Sequence, residues 1–200
     1  MKRSVTGASR RRFLQAAAGI SAIGAGGVPQ MLFAADSEVL PPGDRLNLGF
    51  VGVGGKGASS IGALRQHNLI GFCDVDERTV AAARSERSWS AQFDELLKNA
   101  EKKGARWYRD YRLMLDELAA ELDGVVISTP DHMHFPIAMS AINLGINVYC
   151  EKPLTHTVDE ARLLSLDTER QVPDSVSPEA FPQYARDLIQ GGQYSAVIRF

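Results

Sequence analysis

A parallel, doubly wound α/β sheet is the architecture predicted by this 200-residue sequence. The stretch 46–57, LNLGFVGVGGKG, reads as a buried strand that breaks into a glycine-rich turn. The stretch 124–129, GVVIST, is a continuous apolar run bounded by turn signals, the pattern of a parallel strand covered on both faces. Helical periodicities alternate with such runs, and a βαβαβαβ order leaves helices packed on both faces of one sheet as the economical layout.

The elements follow in order. The first strand, Leu46 to Val53, leads through the glycines into an apolar-periodic helix, Ala58 to Gln66. The second strand spans Leu69 to Val75. Asp76 and Glu77 place acids in the first turn of the next helix, where they complement the helix dipole. The helical pattern then runs from Glu77 to Lys103, with Trp89, Phe93, Leu96 and Leu97 spaced to cover the sheet and the mixed charges of 98–103 forming a solvated face. Ala105 to Tyr108 is a short third strand. Asp110 caps a helix whose apolar positions include Leu113, Met114, Leu118 and Leu122. After the fourth strand, Phe135 to Leu144 is a crossover helix stopped by Gly145, and Asn147 to Cys150 is the fifth strand. A further helix is expected from Thr157 to about Leu166. The expected spatial order is 3-2-1-4-5-6.

Composition is that of a globular protein: 44% hydrophobic and 23% charged. A net charge of −2, with no basic or aromatic patch, gives no case for nucleic acid. The first 35 residues stand apart. Ser9-Arg10-Arg11-Arg12-Phe13-Leu14-Gln15 resembles the twin-arginine export signal, with Gln15 in place of its usual lysine. The stretch behind it is weakly apolar, and Gly19, Gly24, Gly26, Gly27 and Pro29 make it a poor membrane span. Export to the periplasm or cell envelope is expected, with no stable membrane span; the alternatives are retention as an uncleaved anchor and a basic tail followed by a short core helix. Residues 36–45, with Pro41-Pro42-Gly43, read as a linker. The two cysteines, Cys73 and Cys150, fall in strands that are not neighbours, so free buried thiols are expected.

Gly52, Gly54 and Gly57 stand in G-x-G-x-x-G spacing between a strand and a helix. The first glycine allows the tight turn, the second lets a pyrophosphate approach the backbone, and the third lets helix and strand pack closely. The helix N-terminus then presents unpaired N–H groups and the positive dipole end to the phosphates. Asp74 closes the second strand about 20 residues on, where a carboxylate accepts the two ribose hydroxyls of NAD and repels a 2′-phosphate. NAD is therefore expected ahead of NADP, with Arg78 near enough in sequence to soften the preference. Lys56, inside the turn, reads either as a phosphate contact or as a solvated side chain.

Two further loops lie at the carboxyl ends of the strands: Thr129-Pro130-Asp131-His132-Met133-His134 and Glu151-Lys152-Pro153. With the glycine turn and Cys73-Asp74-Val75-Asp76, they make residues 46–164 resemble the Gfo/Idh/MocA oxidoreductases. The resemblance implies that Thr129 and Pro130 line the nicotinamide side, with His134 near it. It places Glu151 at the nicotinamide and Lys152 facing the substrate, assisting proton transfer at the carbinol that exchanges hydride. His134 is an expected partner in orienting substrate. A cis bond before Pro153 would fix the direction of the lysine. His132 and His134 share an H-x-H spacing, but no third ligand is near in sequence and no metal is expected. His67 and His156 read as surface residues.

The resemblance also implies a large second domain that holds the substrate. Here the family pattern ends near residue 166, so the cofactor domain is taken as 46–166 and residues 167–200 as a divergent tail, with the substrate domain largely missing. Within the tail, 171–182 reads as linker, 177–190 as a capped helix and 195–200 as a terminal strand. The expected function is NAD(P)-dependent hydride transfer to or from a hydroxyl of a sugar or polyol. The alternative is a truncated, non-catalytic nucleotide-binding module. An oligomer is compatible with either.

Overall fold

The computed structural model describes residues 40–171 and 196–198, with side chains through residue 165. The export signal and the 177–190 helix lie outside the described residues, as does nearly all of the 171–182 linker.

The strands are β1 (Asn47–Val51), β2 (Asn68–Cys73), β3 (Arg106–Tyr108), β4 (Gly124–Ile127), β5 (Asn147–Cys150) and β6 (Ala196–Ile198). They form one six-stranded sheet in the order β3-β2-β1-β4-β5-β6. The first five run parallel, as expected of a sheet built from strand–helix–strand crossovers. β6 pairs antiparallel with β5 at the edge, with Ala196 opposite Cys150 and Ile198 opposite Val148. The helices are α1 (Lys56–Ala63), α2 (Glu77–Ser85), α3 (Ser90–Lys102), α4 (Tyr111–Leu118), α5 (His134–Asn143) and α6 (Val158–Gln171).

Strand alternation divides the core into two layers. Leu48 and Phe50 of β1, Val126 of β4 and Tyr149 of β5 pack with Ile61, Phe93 and Leu97 on the α1–α2–α3 side. Val51, Val125, Ile127, Val148 and Cys150 pack with Met114, Ile137 and Ile142 on the α4–α5 side. Gly49 and Gly71 leave a shallow trough in the second face. A Cβ on Gly71 would stand 2.6 Å from Leu118 Cδ1, and one on Gly49 3.1 Å from Leu122 Cδ2, so α4 sits closer to the sheet than a side chain would allow.

Several expectations change. The long helical stretch 77–103 is two helices. Ser90 breaks it: its hydroxyl donates to the Ala83 carbonyl (2.7 Å) and accepts from the Arg87 N–H (2.9 Å), and the chain turns there. Arg84 then spans the corner to Asp94 (2.6 Å) and Glu101 (3.1 Å). The bend lets Val80 and Ala83 of one helix and Phe93, Leu97 and Ala100 of the next face the same layer. Leu113, expected inside, is exposed, because Met114, Leu115 and Leu118 supply the buried face of α4. α1 begins at Lys56, earlier than the expected Ala58. α6 extends to Gln171, beyond the expected Leu166.

His67 is buried rather than on the surface, and its Nδ1 accepts the Leu46 N–H at 3.3 Å. That bond requires an unprotonated Nδ1. Burial, reinforced by Arg45, lowers its pKa from the usual 6.5. Cys73 and Cys150 are free and buried on strands separated by β1 and β4. Burial pushes the Cys73 thiol up to about 12, and pushes Cys150 up as well.

A depressed histidine pKa makes the unfolded chain the better proton acceptor. The stability held by neutral His67 is present above pH 6.5 and lost as pH falls through its lower folded value. Denaturant titrations should show a loss with a slope of at most about 1.4 kcal/mol per pH unit between pH 6.5 and that lower value, and none below it. His67→Asn should remove that part of the slope, and an unchanged pH profile in the variant would exclude this role.

Candidate functional site

The glycine turn is shaped by close approaches on three sides. Gly52 has φ +83°, and a Cβ there would meet the Ser128 carbonyl oxygen at 2.6 Å. Its N–H donates to the Cys73 carbonyl at 2.9 Å, tying the turn to the end of β2. A Cβ on Gly57 would stand 1.9 Å from the Gly52 carbonyl oxygen, so only glycine lets α1 start against the turn. Gly54 has a different neighbour from the one expected: a Cβ there would meet Thr79 Cγ2 at 2.3 Å, in the first turn of α2. The second glycine therefore admits α2 as well as leaving the backbone open. α1 has no side-chain N-cap, which leaves its first N–H groups to an anion.

Asp74 follows β2 directly. Its Oδ2 accepts from the Val53 N–H (2.8 Å) and the Gly54 N–H (3.4 Å), and its Oδ1 accepts from the Asp76 N–H (3.0 Å). Three backbone donors fix the carboxylate against the turn and fill three of its four lone pairs, leaving one on Oδ1 for a further donor. Asp76 caps α2 and holds Arg78 with two bonds of 3.0 and 3.1 Å; the guanidinium draws its carboxyl down to about 2.

These residues border a cleft of about 320 Å³ at the carboxyl ends of β1, β2 and β4. Gly52, Gly54, Asp74 and Thr79 form one wall; Ser128, Thr129 and Pro130 form the other. Ser128 Oγ and Thr129 Oγ1 are buried and have no hydrogen-bond partner among the described residues. Two orphaned hydroxyls in one wall call for a ligand with polar groups. Backbone N–H groups for phosphates, a fixed carboxylate for ribose and these hydroxyls together fit a dinucleotide.

The two remaining loops lie beside the cleft and are tied together. Thr129 and Pro130 lead into a short 3₁₀ turn, Asp131–Met133, and His134 begins α5. His134 is buried, with Nε2 2.8 Å from the Thr129 carbonyl and Nδ1 2.5 Å from the Pro153 carbonyl. Expected beside the nicotinamide as an orienting group, it instead braces one loop against the other through both ring nitrogens. A second tie joins Asp131 to His156 at 3.2 Å and lowers the Asp131 pKa. His132 is exposed and borders the cleft, whereas both ring nitrogens of His134 face carbonyls, so the H-x-H pair does not offer two free nitrogens to one ion. Among the described residues no cluster of three or more His, Cys, Asp or Glu could hold a metal.

Glu151 is buried at the end of β5, its N–H donating to the Ile127 carbonyl at 2.9 Å. Its Oε1 lies 3.5 Å from Lys56 Nζ and accepts from the Tyr149 hydroxyl at 3.4 Å. Lys56 is exposed, as a solvated lysine would be, and its ammonium reaches across to the Glu151 loop. Lys152 is exposed, and the bond to Pro153 is cis, as expected.

Residues 46–173 match the oxidoreductase family with an NAD-binding Rossmann fold, Gfo/Idh/MocA. The chain belongs to this family. A glycosyl hydrolase family 109 protein of Shewanella pealeana is 30% identical over 198 residues, covering 90% of this chain and 41% of that protein. Inositol 2-dehydrogenase 2 of Saccharopolyspora erythraea is 31% identical over 128 residues, 62% of this chain and 32% of its own length. Among solved structures, the UDP-N-acetylglucosamine 3-dehydrogenase of Acidithiobacillus ferrooxidans is 27% identical with a TM-score of 0.47, covering 63% of this chain and 35% of its own. The chain spans less than half the length of these relatives. NAD is the cofactor of this domain, and the wall of orphaned hydroxyls beside Asp74 is consistent with that.

Thr79, Ser128 and the Lys56–Glu151 pair were not visible as site features in the sequence. Thr79 and Ser128 act through packing between segments distant in the chain. Only the position of Ser128 immediately before Thr129 hinted at its place.

Gly57→Ala should displace α1 from the turn, destabilise the fold by about 2–3 kcal/mol and abolish NADH binding. A variant with the parent's melting temperature and NADH affinity would refute the packing role. His134→Ala should remove the ring that stands between the two carbonyls and cost about 2–4 kcal/mol in chemical denaturation; a loss below about 0.5 kcal/mol would show that the brace is not formed in solution.

Proposed function

We propose that this domain binds NAD for hydride transfer to or from a hydroxyl of a sugar or polyol, with Lys152 as the proton-transfer residue. The observation that carries the reading is an exposed Lys152 on a loop that His134 ties to the Thr129 wall of a cleft equipped for a dinucleotide. NAD, when bound, accepts or returns a hydride. The residues of this chain do the rest. The glycine turn and the α1 N-terminus hold the pyrophosphate, and Asp74 accepts from the adenosine ribose. Ser128, Thr129 and Pro130 wall the nicotinamide side. Lys152, held in direction by Glu151 and Pro153, gives or takes the proton of the reacting hydroxyl.

The described residues supply a cofactor site and one acid/base, but no set of side chains that would grip a polyol. Positioning of the reacting carbon contributes about 7–11 kcal/mol to such reactions. Residues 1–200 on their own should therefore bind nucleotide and turn over slowly or not at all. A kcat in the ordinary range of about 1–10³ s⁻¹, lost in Lys152→Ala, would overturn this. Glycoside cleavage is a second reading, favoured by the similarity to the family 109 protein along 90% of the chain. Its product would be free sugar with no net NADH, whereas simple oxidation yields a ketosugar and one NADH per turnover. Export by the twin-arginine route accompanies both readings; Arg10→Lys with Arg11→Lys should hold the precursor in the cytoplasm.

Fluorescence titration should show NADH bound more tightly than NADPH, and Asp74→Ala should weaken NADH by about 1.5–3 kcal/mol. Equal or tighter NADPH binding by the parent chain would sink the preference for NAD.

A further inference from the structure

We propose that Thr79 is a second ribose-binding residue, its hydroxyl taking the adenosine ribose hydroxyl that Asp74 leaves without an acceptor. The proposal rests on the reading of the cleft as an NAD site. A ribose presents two vicinal hydroxyls, and each is a donor that needs an acceptor when it leaves water. Asp74 can serve only one of them. The Val53 and Gly54 N–H groups occupy its Oδ2, and the Asp76 N–H takes one of the two lone pairs on Oδ1.

The other acid of the same wall is no substitute. Asp76 lines the cleft, but its Oδ1 accepts from the backbone N–H and the Nε of Arg78, both at 3.0 Å, and its Oδ2 accepts from Nη2 at 3.1 Å. Thr79 follows in the first turn of α2 and lines the cleft as well. Its methyl group fixes its place. A Cβ on Gly54 would stand 2.3 Å from Thr79 Cγ2, so the methyl branch lies against the glycine turn and the hydroxyl occupies another branch of Cβ. The residue is exposed, and its hydroxyl makes no hydrogen bond among the described residues. Gly54 joins the two groups: its N–H points at Asp74 Oδ2 from 3.4 Å, while Thr79 Cγ2 covers its Cα. Carboxylate and hydroxyl therefore border the same end of the cleft, on either side of one residue of the turn. A threonine hydroxyl accepts as well as donates, so it suits a ribose hydroxyl that has a proton to give.

Calorimetric titration of the full chain with NADH, AMP, 2′-deoxy-AMP and 3′-deoxy-AMP tests this role. Thr79→Val keeps the methyl that packs on Gly54 and removes only the hydroxyl. It should weaken NADH and AMP by about fivefold while the melting temperature stays within about 2 °C of the parent. Thr79→Ser keeps the hydroxyl and should stay within about twofold of the parent for both ligands. The valine loss should vanish for one of the two deoxy nucleotides, the one that lacks the hydroxyl held by Thr79. NADH affinity of the valine variant within about twofold of the parent, a serine variant as weak as the valine one, or an equal loss for all three mononucleotides would overturn the proposal. Any of these results in a parent that binds NADH and AMP leaves the NAD reading standing. A parent chain that binds neither removes that reading and the role of Thr79 with it.

Discussion

Between Gly57 and the Gly52 carbonyl there is no room for one more carbon, since a Cβ would stand 1.9 Å from that oxygen. This contact sets the start of α1 against the end of β1, and much of the site follows from it. Because α1 begins so close to the strand, Gly52 lies against the Ser128 carbonyl at the end of β4, and the turn is pinched between two strands. Because the turn is pinched there, Val53 and Gly54 point their N–H groups at Asp74. Lys56, the first residue of the helix, is carried to within reach of β5 by the same contact.

The parts of the fold that were legible in the sequence are those governed by local rules. Continuous apolar runs marked β1, β4 and β5, the glycine spacing marked the turn, and Asp110 marked the start of a helix because its side chain had an N–H to accept. The order of the five parallel strands is the one expected of a doubly wound sheet that opens on such a glycine turn. What was not legible depends on partners far away in the chain. The break at Ser90 comes from a bond back to Ala83 that periodicity does not register. His67 is inside because α1 ends where Leu46 needs an acceptor. In the site, the glycines and Asp74 were found because backbone geometry demands them. The roles of His134 and Lys56 were not, because each is decided by a carbonyl or carboxylate on another loop.

The site is built from short ties rather than from a buried core. Asp74 joins the turn to β2, His134 joins the β4 loop to the β5 loop, and Lys56 joins α1 to β5. Each tie uses groups that would be costly to leave unpaired in a partly enclosed place. The loops at the carboxyl ends of the strands are thus tied to one another by polar contacts as well as by the packing of Met133 and Leu154 on the core. Such an arrangement suits a cleft that must accept a large polar ligand without first collapsing.

The antiparallel sense of β6 has a consequence for how the chain is routed. Ala196 pairs beside Cys150, next to Glu151, and Ile198 pairs lower down beside Val148. Within β6 the polypeptide therefore runs from the rim that bears Lys152 toward the opposite pole of the sheet. A parallel sixth strand would do the reverse. Ala196 is thus the residue of β6 that stands level with Cys150, just below the Glu151 loop, so a larger side chain there would be felt at the lysine's rim, whereas one at position 198 would be felt only lower on β5.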